Sequence, residues 1–318
     1  MNGSRRMLKT CLTLVVLMAC TGAAKAEQKF GNLRFATPGP TITTLPMQVV
    51  SEKGFDTEEG FKANFTPTSG SIAVKAMLAG DFDFSLSAGS ALTGAVSGAR
   101  IKIVYVHVEK SLSFLYARDG ITNLKALEGK RIGIDAIGGT QDLAVRRVMQ
   151  KAGADISTAF FLAMGYQAIP VSMIAGALDA GVIAPPIEFQ LINSTAKFVN
   201  LGFLGDDAPG LTGGIATTEK LASERPELLR AVLRAHAKAH QFVLNNRDET
   251  ISIMRRFLGL SMKDAAQSYD TTVRPYFNKT GVISPALQEE FIAEQIRALK
   301  IANSPAAARI FDFSYLTK

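Results

Sequence analysis

Apolar residues in this 318-residue chain come in short runs, each closed by glycine, proline or hydroxyl residues and followed by a stretch with helical spacing. "NLRFATPGPT" (Asn32 to Thr41) leads into a helix that ends at "EKGF", and "KRIGIDAIGGT" leads into one that ends at "KAGADI". In the latter the pattern predicts a strand over Arg131 to Ala136, a Gly138-Gly139-Thr140 turn, and a helix from about Gln141 to near Gly153. Each segment then runs to a second strand, "KANFTPTSGS" or "TAFFLAMGYQ", and to a second helix. A third strand closes each half. "AMLAGDFDFSLSAGS" (Ala76 to Ser90) overlays "SMIAGALDAGVIAPP" (Ser172 to Pro186) at a constant offset of 96, with Met, Ala, Gly, Asp and a later Ala coinciding.

Each half therefore reads as a βαβαβ unit of about 60 residues, which right-handed crossovers fold into a small parallel sheet wrapped by helices. Between the halves lies "IKIVYVHVEKSLSFLYARDG", two strand-like runs, and after the second comes a return strand near Ile215 to Thr217. From Lys220 to about Lys300 the pattern is helical, with Pro226, Pro285 and Pro305 at starts or breaks. The expected architecture is α/β and two-lobed, each lobe a mainly parallel sheet wrapped by helices, with two hinge crossings and a helical C-terminal region. The expected boundaries are residues 27–112 for the first part of lobe 1, 113–214 for lobe 2, and 215–318 for the return strand and C-terminal helices of lobe 1.

The N-terminus changes the picture of charge and compartment. Arg5, Arg6 and Lys9 precede an apolar run from Cys11 to Cys20, and Ala24-Lys25-Ala26 is an A-x-A cleavage site, the pattern of a secretory signal over residues 1–26. The run is too short to span a membrane, which takes about 20 apolar residues. Leu17-Met18-Ala19-Cys20 offers the alternative of a lipid-anchoring site at Cys20; simple cleavage after Ala26 is the favoured reading. The signal holds four basic residues and no acid, so its removal lowers the net charge from +7 to +3. That balance argues against a nucleic-acid surface. Both cysteines lie in the signal, so the exported chain is expected to stand on its core without disulfides, as a monomer in the periplasm.

Ligands of open α/β sheets bind beyond the carboxyl ends of the strands. Here those ends supply Pro38, Thr41, Ser69, Gly70, Ser71, Ser87 and Ser90 from the first half, and Gly138, Gly139, Thr140, Gln141, Tyr166, Gln167 and Glu188 from the second. Hydroxyls, glycines and amides suit the hydrogen bonding of a small solute. The Gly-Gly-Thr turn lacks the Lys of a phosphate-binding loop and the third glycine of a dinucleotide fingerprint, but a glycine turn entering a helix can present N–H groups to an anion. Catalysis is not expected. The three histidines, His107, His236 and His240, leave few places for a triad. His107 reads as a structural residue on a strand, and His236 and His240, in "RAHAKAHQF", read as a helix surface without the Glu of a zinc-protease motif. No metal or cofactor is implied. Asp81 and Asp83 in "GDFDF" read as helix-ending turn residues, and Phe82 and Phe84 as core.

Together these segments resemble the periplasmic solute-binding proteins of ABC importers, in the branch of nitrate, taurine, aliphatic-sulfonate and thiamine-pyrimidine binders. "LRFATPGPTITTLPMQVVSEKGFDTEEGF", "SGSIAVKAMLAGDFDFSLSAGS", "LKALEGKRIGID" and "TEKLASERPELLRAVLRA" carry the likeness, which spans residues 30–260 or so. It implies a type II periplasmic-binding-protein fold and capture of a small organic anion between the lobes, with delivery to a permease and its ATPase. It also implies ligand-contacting loops at Thr37 to Thr41, Ser69 to Ser71, Ser87 to Ser90, Gly138 to Gln141 and Pro186 to Glu188, with Glu188 placed to pair with an amine in a taurine-like ligand. The tryptophan frequent in sulfonate binders is absent. A pyrimidine or aromatic carboxylate ligand, or a sensor on the same fold, is the alternative.

Overall fold

Two βαβαβ units fold into two five-stranded sheets that are built alike. In the first, β1 (Gly31–Thr37) lies between β2 (Phe61–Pro67) and β3 (Phe84–Ser85), all parallel, with α1 (Leu45–Glu52) and α2 (Gly70–Ala79) in the connections. In the second, β6 (Arg131–Ile134) lies between β7 (Phe160–Ala163) and β8 (Ala180–Ile183), again parallel. The chain is described here by a computed structural model that covers residues 29–165, 167–206, 209–302 and 305–316. The expected signal segment and Cys20 lie outside these residues.

The remaining strands tie the units together. The α3 helix (Ala88–Val96) leads to β4 (Ile101–Lys110), which crosses through Ser111 to Ser113 into β5 (Phe114–Arg118) of the other sheet. The chain continues through β6, α4 (Thr140–Lys151), β7, α5 (Ala168–Ile174), β8, α6 (Glu188–Ile192) and β9 (Phe198–Phe203), then returns to the first sheet as β10 (Pro209–Thr218). The strand orders are β2-β1-β3-β10-β4 and β7-β6-β8-β5-β9. In each, the fourth strand is antiparallel to both neighbours, so four strands point one way and one is reversed. The sheets are therefore mainly parallel, with a crossing strand as the exception. Ser111, Leu112 and Ser113 are buried, and Leu204 N–H donates to the Ser113 carbonyl at 2.8 Å, so the two crossings run side by side.

The internal duplication has a physical counterpart in each lobe. Arg34 donates to Asp83 through its backbone N–H (2.8 Å) and guanidinium, and to the Gly80 carbonyl at 2.9 Å. Arg131 does the same with Asp179 and with the Gly176 carbonyl at 3.1 Å. Gly80 and Gly176 both have left-handed φ, +90° and +81°, which ends the preceding helix where a side chain would be strained. Asp83 and Asp179 thus do more than end a helix: each locks the first strand of its unit to the entry of the third.

Lobe 1 packs its core in two clusters: in one Phe35 stacks on Phe84 at 5.0 Å, and partly buried Phe82 packs against the other, which holds Met77 and Val96. The C-terminal helices cover it, among them α7 (Pro226–Asn245), α8 (Arg247–Leu258), α9 (Met262–Ser268) and α10 (Pro285–Leu299). On α7 the buried residues Leu229, Val232, His236, His240 and Val243 form one stripe at spacings of three and four. His236 and His240 are fully buried, which overturns their reading as a helix surface: they share the apolar stripe and meet His107 of β4 in the core.

Candidate functional site

A cavity of about 400 Å³ lies between the lobes, beyond the carboxyl ends of the central strands. Lobe 1 contributes Pro38, Thr41, Thr43, Pro67, Thr68, Ser69, Gly70 and the Leu86 to Ser90 segment. Lobe 2 contributes Asp135, Thr140, Gln141, Gly165, Gln167 and Ala168, and Leu211 and Thr212 come from β10. A larger groove of about 990 Å³, bordered by Arg100, Lys102, Lys220 and Tyr315, sits where α2 ends and β4 begins. It is formed by lobe 1 and its C-terminal segment alone, so lobe closure cannot enclose anything there. The smaller cavity is the one that both lobes build.

Three helices begin at that cavity. The α2 helix starts after Ser69, α3 after Ser87 and α4 after Gly139, and none of the three has a side chain capping its first N–H groups. Orphan N–H groups at a helix start carry partial positive charge and are satisfied by water, caps or ligands. The α2 and α3 helices have no acidic residue in the first turn. The helix starts converge because glycine permits it: a Cβ on Gly70 would lie 2.2 Å from Ser90 Oγ, and one on Gly89 would lie 2.3 Å from Thr140 Oγ1.

The Gly138-Gly139-Thr140 turn does something other than expected. Gly138 N–H donates to the buried Asp142 carboxylate at 2.8 Å, and Gly139 N–H to the Ala136 carbonyl at 3.1 Å. The Gly138 carbonyl accepts from Thr93 Oγ1 (3.0 Å) and Gln295 Nε2 (3.3 Å), both of lobe 1, and Thr140 Oγ1 donates to the Leu211 carbonyl at 2.8 Å. The turn is a latch between the lobes, with its glycine N–H groups already used. Its geometry depends on Asp142, which also pairs with Arg146 at 2.5 Å.

Of the residues singled out from the sequence, Pro38, Thr41, Ser69, Gly70, Ser87, Ser90, Thr140, Gln141 and Gln167 line the cavity. Ser71, Gly138, Gly139 and Glu188 do not, and Tyr166 lies outside the described residues. Glu188 opens α6 beside Tyr116. Burial pushes its carboxyl up to about 7, with Asp264 adding to the rise, and its Oε2 is buried without a hydrogen bond among the described residues. Sequence reasoning missed Thr43, Thr68, Asp135 and Thr212. Thr68 adjoins Ser69, and Asp135 closes "RIGID", so the position of both just past a strand end is the signal that points to them. Burial raises the Asp135 carboxyl to about 6, helped by the nearby Asp142.

Behind the lobe 1 wall, His107 Nε2 donates to the Thr43 carbonyl at 2.7 Å, since a carbonyl only accepts. Its Nδ1 is then the acceptor for His236 Nε2, 3.4 Å away, while Tyr105 Oη meets His240 Nδ1 at 2.9 Å. Among the described residues no group of His, Cys, Asp and Glu is placed to hold a metal, and no helix is long and apolar enough to cross a membrane.

Comparison with known proteins agrees with this architecture. A family described as NMT1/THI5 like matches residues 42–250. No curated protein matches the sequence. Among solved structures, the ligand-binding component of an ABC-type import system from Staphylococcus aureus, with zinc bound, shares 15% identity. It superposes with a TM-score of 0.75 over 91% of this chain and 98% of its own. The alkanesulfonate-binding protein SsuA from Xanthomonas axonopodis pv. citri, bound to MOPS, shares 17% identity with a TM-score of 0.73 over 88% and 98%. The periplasmic nitrate-binding protein NrtA from Synechocystis PCC 6803 shares 13% identity with a TM-score of 0.72 over 89% and 86%. The chain has the two-lobed fold of periplasmic ABC-type solute-binding proteins.

Proposed function

The chain belongs to the NMT1/THI5-like family, and from that membership and the cavity between its lobes we propose that it is an extracytoplasmic solute-binding protein. It captures a small organic anion and delivers it to an ABC permease. One observation carries the reading: α2 and α3 begin at the cavity without capping side chains or first-turn acids. Such helix starts hold an anion without a cationic side chain, and no Lys, Arg or His appears among the described lining residues. The volume of about 400 Å³ suits an organic solute, since small-molecule sites run to roughly 300–1,000 Å³. Closure of the lobes supplies the drive, because contacts from both walls exist only in the closed state. Among the described lining residues no nucleophile is paired with a base, so binding without turnover is the activity expected.

The test is the thermal midpoint of the purified protein against sulfonates, carboxylates, nitrate, amino acids and pyrimidines. A solute bound only by the folded state at about 100 times its Kd adds roughly 2.7 kcal/mol. A rise confined to organic solutes that carry an anionic group, amino acids included, is the expected result; a rise with pyrimidines alone, or chemical conversion of the bound solute, would contradict it.

A further inference from the structure

The two walls of the cavity differ in electrical character. On the lobe 1 side the starts of α2 and α3 are uncapped, and Ser87 Oγ is buried there with no hydrogen bond among the described residues. On the lobe 2 side the start of α4 is already countered by Asp142, which takes the Gly138 N–H and pairs with Arg146. Asp135, on that same side, is the one ionisable side chain among the described lining residues. Its Oδ1 accepts the Ala136 N–H at 2.8 Å, and no donor reaches its Oδ2 among the described residues.

Building on the solute-binding reading above, we propose that the natural solute is dipolar: an anionic group faces the α2 and α3 starts of lobe 1, and a cationic or strongly donating group faces Asp135 of lobe 2. A solute that is only an anion would bring a second negative charge toward Asp135 in a partly desolvated space where no described lining residue is a cation to offset it. A donor on the solute gives Oδ2 the partner that the protein withholds. Asp135 thus attracts one class and rejects another, the two elements that specificity requires. Glu188, the acid that the resemblance placed for an amine, lies outside the cavity wall.

The experiment is calorimetric titration of the purified protein with matched triads: ethanesulfonate, 2-hydroxyethanesulfonate and 2-aminoethanesulfonate, then butanoate, 4-hydroxybutanoate and 4-aminobutanoate. Asp135→Asn is titrated alongside, because its amide oxygen can still accept the Ala136 N–H. The wild type is expected to bind the amino or hydroxy member at least ten-fold tighter than the plain anion, and Asp135→Asn to erase most of that ratio while binding the plain anion as well or better. Equal binding of all three members by the wild type would overturn the inference and leave the anion reading standing. Binding of no member would overturn both. The wild-type ratio decides even if the variant folds poorly.

Discussion

At the scale of single residues, the buried polar groups make the sharpest statements. A buried hydroxyl without a partner destabilises the protein that holds it by about 1–3 kcal/mol. Ser87→Ala should therefore leave the thermal midpoint of the free protein unchanged or raised, while weakening solute binding about ten-fold, or ~1.4 kcal/mol. A midpoint and an affinity that fall together would show that Ser87 is structural. The histidine cluster predicts acid sensitivity. Burial, with the neighbouring His240 imidazole, lowers His107 to about 3, and burial alone lowers His240 to about 4, against an ordinary value near 6.5. Below pH ~6.5 the unfolded chain takes up protons that the folded chain refuses, so stability is full above that pH and declines toward pH 4. Asp135 and Glu188, whose carboxyls are raised, act in the opposite direction in the same window. His240→Gln should make the acid decline shallower by up to one proton, about 1.36 kcal/mol per pH unit at most; an unchanged pH profile of the thermal midpoint would refute the assignment. These residues were poorly legible in the sequence. The spacing of Val232, His236, His240 and Val243 does place both histidines on the apolar stripe of α7, but a histidine on that stripe declares its burial only when its partner, His107, arrives from a strand more than 120 residues away.

At the scale of elements, the duplicated arginine–aspartate lock makes a paired prediction. Asp83→Asn and Asp179→Asn each weaken contacts with a strand N–H and a guanidinium, so each should cost about 1 kcal/mol. In a molecule of this size that is a fall of a few degrees in thermal midpoint. The arginines are half exposed, and exposed pairs contribute little, so the backbone N–H bond carries most of the effect. A loss in one lobe and none in the other would contradict the equivalence. This level was the most legible. The strand, glycine turn and helix order follows from period and turn chemistry, and the duplication survives as equivalent strand order and an equivalent lock, its glycines and aspartates 96 apart and its arginines 97. The use of the Gly138 and Gly139 N–H groups was not legible, because it depends on Asp142 folding back onto the turn.

At the scale of the whole molecule, the lobes are joined by direct contacts: Thr93 and Gln295 to the Gly138 carbonyl, Thr140 to the Leu211 carbonyl, and Arg147 to Glu294 at 3.3 Å. Gly89→Ala places a Cβ 2.3 Å from Thr140 Oγ1, the lobe 2 hydroxyl that donates to the Leu211 carbonyl, and so displaces that contact between the lobes. It should hold the lobes apart, seen as a larger radius of gyration in solution scattering and a weaker solute affinity; unchanged values of both would show that the latch gives way elsewhere. The central claim is that the solute sits between the lobes with its anionic group at the starts of α2 and α3. The crystal structure of the protein with its tightest-binding organic anion tests this most directly. The predicted result places the anionic group within hydrogen-bonding distance of the Gly70 and Ser87–Ser90 segments, with lobe 2 closed over it. An anion held instead in the groove beside Arg100 and Lys102, with the cavity between the lobes untouched, would contradict the account.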